Sequence, residues 1–209
     1  MVGRIITTQD DVAEGAAWLA AHHPRFAHAL ALTGPLPLRR KPDGFETLLS
    51  AIVSQQVSVA AANAIWGRLE GAGLTARAAV AVAEEEALRA AGLSRQKVRY
   101  AMALAQSGVD FAALREMPED QAVAHLTEVP GIGRWTAEIY LMFALGRADV
   151  FAPADLALQE AARMLFDLPD RPREAPLRRM AEEWRPWRSV AAVALWAYYR
   201  VAKEREGIR

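Results

Sequence analysis

The sequence predicts an all-α protein, and three observations carry that expectation. Ala and Leu dominate a hydrophobic fraction of 53%, and runs of β-branched residues are scarce, a composition that favours helix. Apolar residues recur at helical spacing between Ser, Thr, Asp and Gly stop signals. No period-2 alternation lasts long enough to form a strand. The 209 residues suit one domain of ordinary size or two small lobes, with ample material for a core.

The elements follow in order. Thr8-Gln9-Asp10-Asp11 resembles a capping box, and Val12, Ala16, Leu19 and Ala20 continue the apolar stripe of a first helix. His22-His23-Pro24 breaks it, and a second helix runs over about 25–33. Gly34-Pro35-Leu36-Pro37 and the basic Leu38-Arg39-Arg40-Lys41 form a connector. Phe45, Leu48, Leu49 and Ile52 mark the buried face of the next helix, which runs into Ser54-Gln55-Gln56-Val57-Ser58-Val59. An Ala-rich helix with Ile65, Trp66 and Leu69 ends at Gly71 and Gly73. Short helices follow over 76–82 and 84–91, and Gly92-Leu93-Ser94 stops one helix and caps the next, which carries Arg95, Lys97 and Arg99. Pro118 opens a helix that ends near Thr127. After Asp155 a helix reaches about Phe166. A Pro-rich linker, a helix to Glu183 and a last helix from near Trp187 to about Lys203 complete the chain.

Composition narrows the function classes. The chain has no cysteine, which excludes disulfides, thiolate zinc sites and iron–sulfur clusters and fits a reducing, cytoplasmic setting. No apolar run approaches the roughly 20 residues of a membrane span, and residues 1–20 lack a signal-peptide core. Net charge is zero, although residues 171–209 hold ten Lys and Arg against five Asp and Glu.

Leu126-Thr127-Glu128-Val129-Pro130-Gly131-Ile132-Gly133-Arg134-Trp135 joins two helices through Pro-Gly-Ile-Gly. Two glycines allow a turn tight enough that successive N–H groups face solvent at the start of the second helix, an anion site reinforced by the helix dipole. This apolar-Gly-apolar-Gly pattern is that of a helix-hairpin-helix, whose usual anion is a nucleic-acid phosphate; an ordinary αα-hairpin closed by Gly is the alternative. The four histidines, His22, His23, His28 and His125, lack the i, i+4 spacing of a metal pair, and no G-x-S-x-G, Walker or Rossmann motif occurs. Asp155, in Ala152-Pro153-Ala154-Asp155-Leu156, stands where a helix begins. There it serves as an N-cap, and the same position keeps a carboxylate ionised. Beside an apolar wall such a fixed negative charge stabilises a developing cation better than water does, and a cleaving glycosidic bond generates an oxocarbenium ion. Asp149 is the next carboxylate in line.

The segment 129–158 resembles the signature of the helix-hairpin-helix (HhH-GPD) superfamily of DNA glycosylases, most closely its alkylbase, or 3-methyladenine DNA glycosylase II, group. Ala51-Ile52-Val53-Ser54-Gln55-Gln56-Val57-Ser58-Val59, Gly92-Leu93-Ser94-x-x-Lys97 and Trp184-Arg185-Pro186-Trp187-Arg188-Ser189-Val190-Ala191 with Trp196 resemble further stretches of that group, in the expected order from about residue 40 to 200. The resemblance implies two helical lobes with a cleft between them, one over about 1–41 and 153–209 and the other over about 42–152. Asp155 becomes the catalytic carboxylate, Trp135, Trp196 and Ile139 the base pocket, and Gln55 and Gln56 the plug that fills the space of a flipped nucleotide. Gly131, Gly133, Arg134, Thr136, Ser58, Lys97 and Arg188 become phosphate contacts, and the carbonyls of Val129 and Ile132 a candidate site for a monovalent cation. No cofactor is required. Trp135 stands where bifunctional relatives carry a Schiff-base lysine, which implies a monofunctional enzyme. The implied partner is double-stranded DNA with alkylated bases, met by a monomer at the bacterial nucleoid. A non-catalytic helix-hairpin-helix module, a helical scaffold unrelated to nucleic acid, and a glycosylase for deaminated or oxidised bases are the competing readings.

Overall fold

A computed structural model describes residues 2–205, with side chains through Lys203. Thirteen α-helices are assigned among the described residues: α1 (Gln9–His22), α2 (Pro24–Thr33), α3 (Phe45–Ser54), α4 (Val59–Gly71), α5 (Arg77–Val82), α6 (Glu85–Ala90), α7 (Arg95–Gln106), α8 (Phe111–Glu116), α9 (Glu119–Thr127), α10 (Arg134–Phe143), α11 (Leu156–Leu165), α12 (Glu174–Met180) and α13 (Arg188–Arg205). The only strand-like pairing among the described residues is an isolated bridge between Ile5 and Arg147. None of the described helices is long and apolar enough to cross a membrane.

Local chemistry accounts for most boundaries. Thr8 and Asp11 form a reciprocal capping box at α1. Ser58 caps α4 by accepting from Ala61 N–H, and Ser94 caps α7 through Lys97 N–H. Two elements differ from expectation. Asp110 caps the short helix α8, which the sequence reading passes over because six residues are too few to show periodicity. The helix expected to reach Glu183 ends at Met180 and tightens into a 3-10 turn over Ala181–Trp184, which seats Trp184 in the core.

The chain divides into two compact units, one of residues 41–140 and the other of residues 2–40 with 141 onward. The division falls within α10, earlier than the change near residue 152 that the sequence suggests. In the first unit α3 and α5 pack on α7, with Leu48, Leu49, Ile52, Leu88, Leu104 and Leu114 buried. In the second, α13 packs against α1, α2 and α11. Trp184 anchors that core, with Phe26 and Phe151 edge-on at 5.3 Å and Phe166 stacked at 5.7 Å.

The hairpin between α9 and α10 is closed by Ile132 N–H donating to Val129 O at 3.0 Å. Only one of its glycines is conformationally required. Gly131 has φ +92°, and a Cβ there would lie 2.4 Å from the Tyr100 ring. Gly133 lies outside the left-handed region, and a Cβ would meet nothing within 4 Å, so the tight turn expected from two glycines depends on Gly131 alone. Gly131→Ala is therefore expected to cost about 2–4 kcal/mol, combining left-handed strain with displacement of Tyr100. Gly133→Ala should cost under about 1 kcal/mol, the usual margin between Gly and Ala at a helix start. Urea unfolding midpoints of the two variants check the contrast.

Candidate nucleic-acid interface and catalytic carboxylate

In the first unit, α3 ends at a turn braced against the hairpin. Gln55 caps α3 and donates through Nε2 to Gly131 O at 2.9 Å. That contact makes Gln55, expected as part of the plug, a strut between the turn and the hairpin. Its neighbour Gln56 is exposed and sits at φ +54°, a left-handed conformation that costs a non-glycine residue about 1–3 kcal/mol. Val57 and Val59 are exposed too, at 39% and 78%. The turn therefore presents one amide and two branched apolar side chains to solvent, with a hollow of about 260 Å³ beside it lined by Gln56, Val57, Ser94, Gln96 and Tyr100.

At the hairpin, Gly133, Arg134 and Trp135 are exposed and Ile139 is half-buried, while Thr136 is buried. Arg134 reaches forward one turn to Glu138, a fully buried residue, at 2.9 Å. Downstream on α10, Tyr140 donates its hydroxyl to Asp43 and accepts from Gly44 N–H at 2.9 Å. Burial and the Asp43 bond push the phenol well above its ordinary range, and Arg115 pairs with the same carboxylate at 2.6 Å. This lock between the connector and α10 was not visible in the sequence, because Asp43 and Tyr140 are 97 residues apart.

Three of the expected phosphate contacts have other surroundings in the structure. Thr136 is buried, so its side chain lines the interior. Lys97 donates Nζ to Val53 O at 2.6 Å, capping the end of α3, and burial lowers its pKa. Arg188 is buried and binds Asp149 at 2.6 Å and Glu182 at 3.3 Å. The same network occupies Asp149, which Arg185 also approaches at 3.1 Å, and so removes it as the alternative catalytic carboxylate. Ser58 remains exposed at its helix start, and Gly131, Gly133 and Arg134 remain at the hairpin.

Asp155 belongs to the second unit. The loop before it is interior, with Val150, Phe151 and Ala152 buried, and Gln159 Nε2 fastens it by donating to Pro153 O at 2.8 Å. Asp155 is half-buried and caps α11: its Oδ1 accepts from Ala157 N–H at 2.9 Å and Leu158 N–H at 3.0 Å. The same oxygen accepts from Trp196 Nε1 at 3.2 Å. The Trp196 ring has Phe143 at 5.8 Å and the Arg39 guanidinium at 5.8 Å from its centroid. Arg39 keeps exposed surface as a residue, yet its head group is desolvated enough for burial to lower its pKa, with the charge of Arg200 adding to the effect. Arg39 was legible only as one of three basic residues in a connector. The histidines serve structure: His22 stacks on Trp18, His23 bonds to Glu183 O, His28 meets Tyr198, and His125 lies by Glu128. No cluster of His, Asp and Glu suited to a metal ion occurs among the described residues.

Comparison with known proteins places this geometry in a family. Residues 49–186 match the HhH-GPD superfamily of base excision DNA repair proteins. The chain is 31% identical over 180 residues to DNA-3-methyladenine glycosylase 1 of Schizosaccharomyces pombe, covering 81% of this chain and 78% of that protein. It is 30% identical over 168 residues to DNA-3-methyladenine glycosylase 2 of Escherichia coli, covering 74% and 57%. Among solved structures, a DNA-3-methyladenine glycosidase from Bacillus halodurans superposes with a TM-score of 0.82 at 32% identity, over 97% of this chain and 95% of that one. The Schizosaccharomyces pombe 3-methyladenine DNA glycosylase in complex with abasic DNA gives a TM-score of 0.75 at 27% identity, over 88% and 95%. The chain thus belongs to the HhH-GPD superfamily of base excision DNA repair proteins, alongside its 3-methyladenine DNA glycosylases.

Proposed function

We propose that the chain is a monofunctional DNA glycosylase that hydrolyses the N-glycosidic bond of cationic, alkylated purines in double-stranded DNA. The observation that carries this reading is the carboxylate of Asp155, half-buried at the start of α11 and fixed through one oxygen by three N–H donors. A negative charge already in place costs no reorganisation when positive charge grows on the sugar. The C1′–N bond breaks, its electron pair leaves with the base, and water adds to C1′ while its proton passes to solvent. A methylated purine that carries a positive charge departs neutral, so this step needs no protein acid.

Trp135 is the aromatic face we assign to the damaged base, with Ile139 one helical turn on. It is 42% exposed, a large apolar surface kept in contact with solvent, and an aromatic face attracts a cation by about 0.5–2 kcal/mol. Flipping the nucleotide costs a few kcal/mol of stacking and pairing. We assign Gln56 to fill the gap, because it is exposed on a strained turn and its amide can bond the partner base. The amides that start α10, from Gly133 to Trp135, supply the phosphate site, with Arg134 and Ser58 as auxiliaries.

The carbonyl-rich turn also suits a monovalent cation. Val129-Pro130-Gly131-Ile132-Gly133 has no charged side chain, which disfavours a divalent ion, and Val129 O retains a second lone pair after accepting from Ile132. Such an ion would add positive potential for a phosphate.

Strand cleavage through an imine needs an amine at the sugar. The sequence has three lysines, Lys41, Lys97 and Lys203, and none lies between the hairpin and Asp155. Borohydride added during turnover should therefore trap no protein–DNA adduct, and strand breaks should appear only after alkali. Asp155→Asn is expected to slow base release at least about 100-fold while leaving affinity for an abasic-analogue duplex within a few-fold. Single-turnover kinetics with methylated DNA test this; a mild loss would return Asp155 to a capping role. Trp135→Ala should lower excision of 7-methylguanine by about 3–30-fold more than excision of neutral hypoxanthine, and equal losses would remove the cation–π assignment.

A further inference from the structure

Trp196 is read from the sequence as an aromatic wall for the base, but its neighbours suit it to a different task. Its indole N–H is directed at Asp155 Oδ1, and its ring already has Phe143 at 5.8 Å and the Arg39 guanidinium 5.8 Å from its centroid. Leu195 and Ala197 on either side are buried, so packing of α13 fixes where the indole stands.

The three donors to Oδ1 do not have equal effects. Ala157 and Leu158 lie on the helix that Asp155 itself caps, and their N–H groups fix the carboxylate only with respect to α11. The terminal torsion of an aspartate is broad and roughly two-fold, so bonds from the capped helix alone refer the group to α11 and to nothing beyond it. Trp196 lies 41 residues away on α13 and ties the same oxygen to a second helix. Two elements converging on one atom select one orientation of the carboxylate plane and therefore one position for Oδ2. Arg39 extends the chain: a cation at the ring face polarises the indole and strengthens its N–H as a donor, as linked polar groups polarise one another.

We infer that Trp196 is a positioning residue, which acts on the reaction by orienting Asp155 rather than by stacking on the base, and that Arg39 reinforces it. This inference rests on the reading of Asp155 as the catalytic carboxylate. Trp196→Phe keeps an aromatic ring in the same packing and removes only the N–H. Single-turnover release of 7-methylguanine, release of hypoxanthine, and binding to an abasic-analogue duplex are measured for the wild type, W196F, D155N and the double variant.

The expected result is a rate about tenfold lower for W196F, affinity changed less than twofold, and an unchanged ratio of cationic to neutral base release. In the D155N background, W196F should cost nothing further, because its effect passes through the carboxylate that is no longer there. A W196F rate equal to wild type overturns the inference, as does a tenfold loss that persists in D155N or a changed ratio of cationic to neutral release. Should W196F fail to fold, Arg39→Gln decides instead: a two- to threefold loss that vanishes in D155N supports the inference, and no loss or a persisting one overturns it. Near-normal activity of D155N would sink the parent reading of Asp155, an outcome distinct from an inert D155N with an unaffected W196F.

Discussion

The bond set around Asp155 Oδ1 is the constraint on which the rest of the second unit turns. A helix N-cap is worth about 1 kcal/mol, and a hydrogen bond to a charged group about 1.5–3 kcal/mol. Either alone would account for an aspartate at the start of α11. The combination with an indole from α13 exceeds what capping needs, and the loop that delivers the residue is buried over Val150–Ala152 and fastened by Gln159. A surface cap requires none of that support. Buried side chains and a glutamine amide thus hold one carboxylate in place, which is what the proposed electrostatic role would require.

The first unit shows the same economy at the hairpin. Gln55 ties the α3–α4 turn to Gly131 O, and Tyr100 packs where Gly131 has no side chain. Tyr140 then locks α10 to the connector through Asp43 and Gly44. Cations near these elements are committed internally: Lys97 to Val53 O and Arg134 to Glu138. On the proposed reading, a chain of zero net charge whose Lys97 and Arg134 are engaged in this way would rely more on backbone amides to meet an anion. Such an arrangement would form fewer charge pairs with DNA, and affinity would then fall less steeply with salt than for a basic groove. The neutral composition is thus compatible with a nucleic-acid partner.

Much of this was legible in the sequence, and the remainder failed for identifiable physical reasons. Caps at Thr8, Ser94 and Asp155 were readable because capping is local, set by a side chain and an amide two or three residues on. The helices with a broad apolar face were readable from their period, while α8 was too short to have one. Side-chain partners across long separations were invisible. Lys97 and Arg188 looked like surface cations, since a sequence shows charge but not the carbonyl or carboxylate that neutralises it. Gly133 was over-read, because a glycine in a motif carries no indication of whether its φ or its missing Cβ is what matters. Arg39 was under-read for the complementary reason: nothing local links it to an indole more than 150 residues later.

The chemistry that such a small site can manage follows from the leaving group. A neutral purine leaves with a negative charge unless it is protonated, and an enzyme for such lesions must hold an acid at the base. The Tyr140 hydroxyl is committed to Asp43 with its pKa pushed up, His22 stacks on Trp18, and His23 bonds to Glu183 O. A purine already positive from alkylation carries its own driving force, since breaking its glycosidic bond removes charge from the base and creates it on the sugar. On the proposed reading, one fixed anion would lower the barrier for such a base, and an aromatic surface would favour a cation.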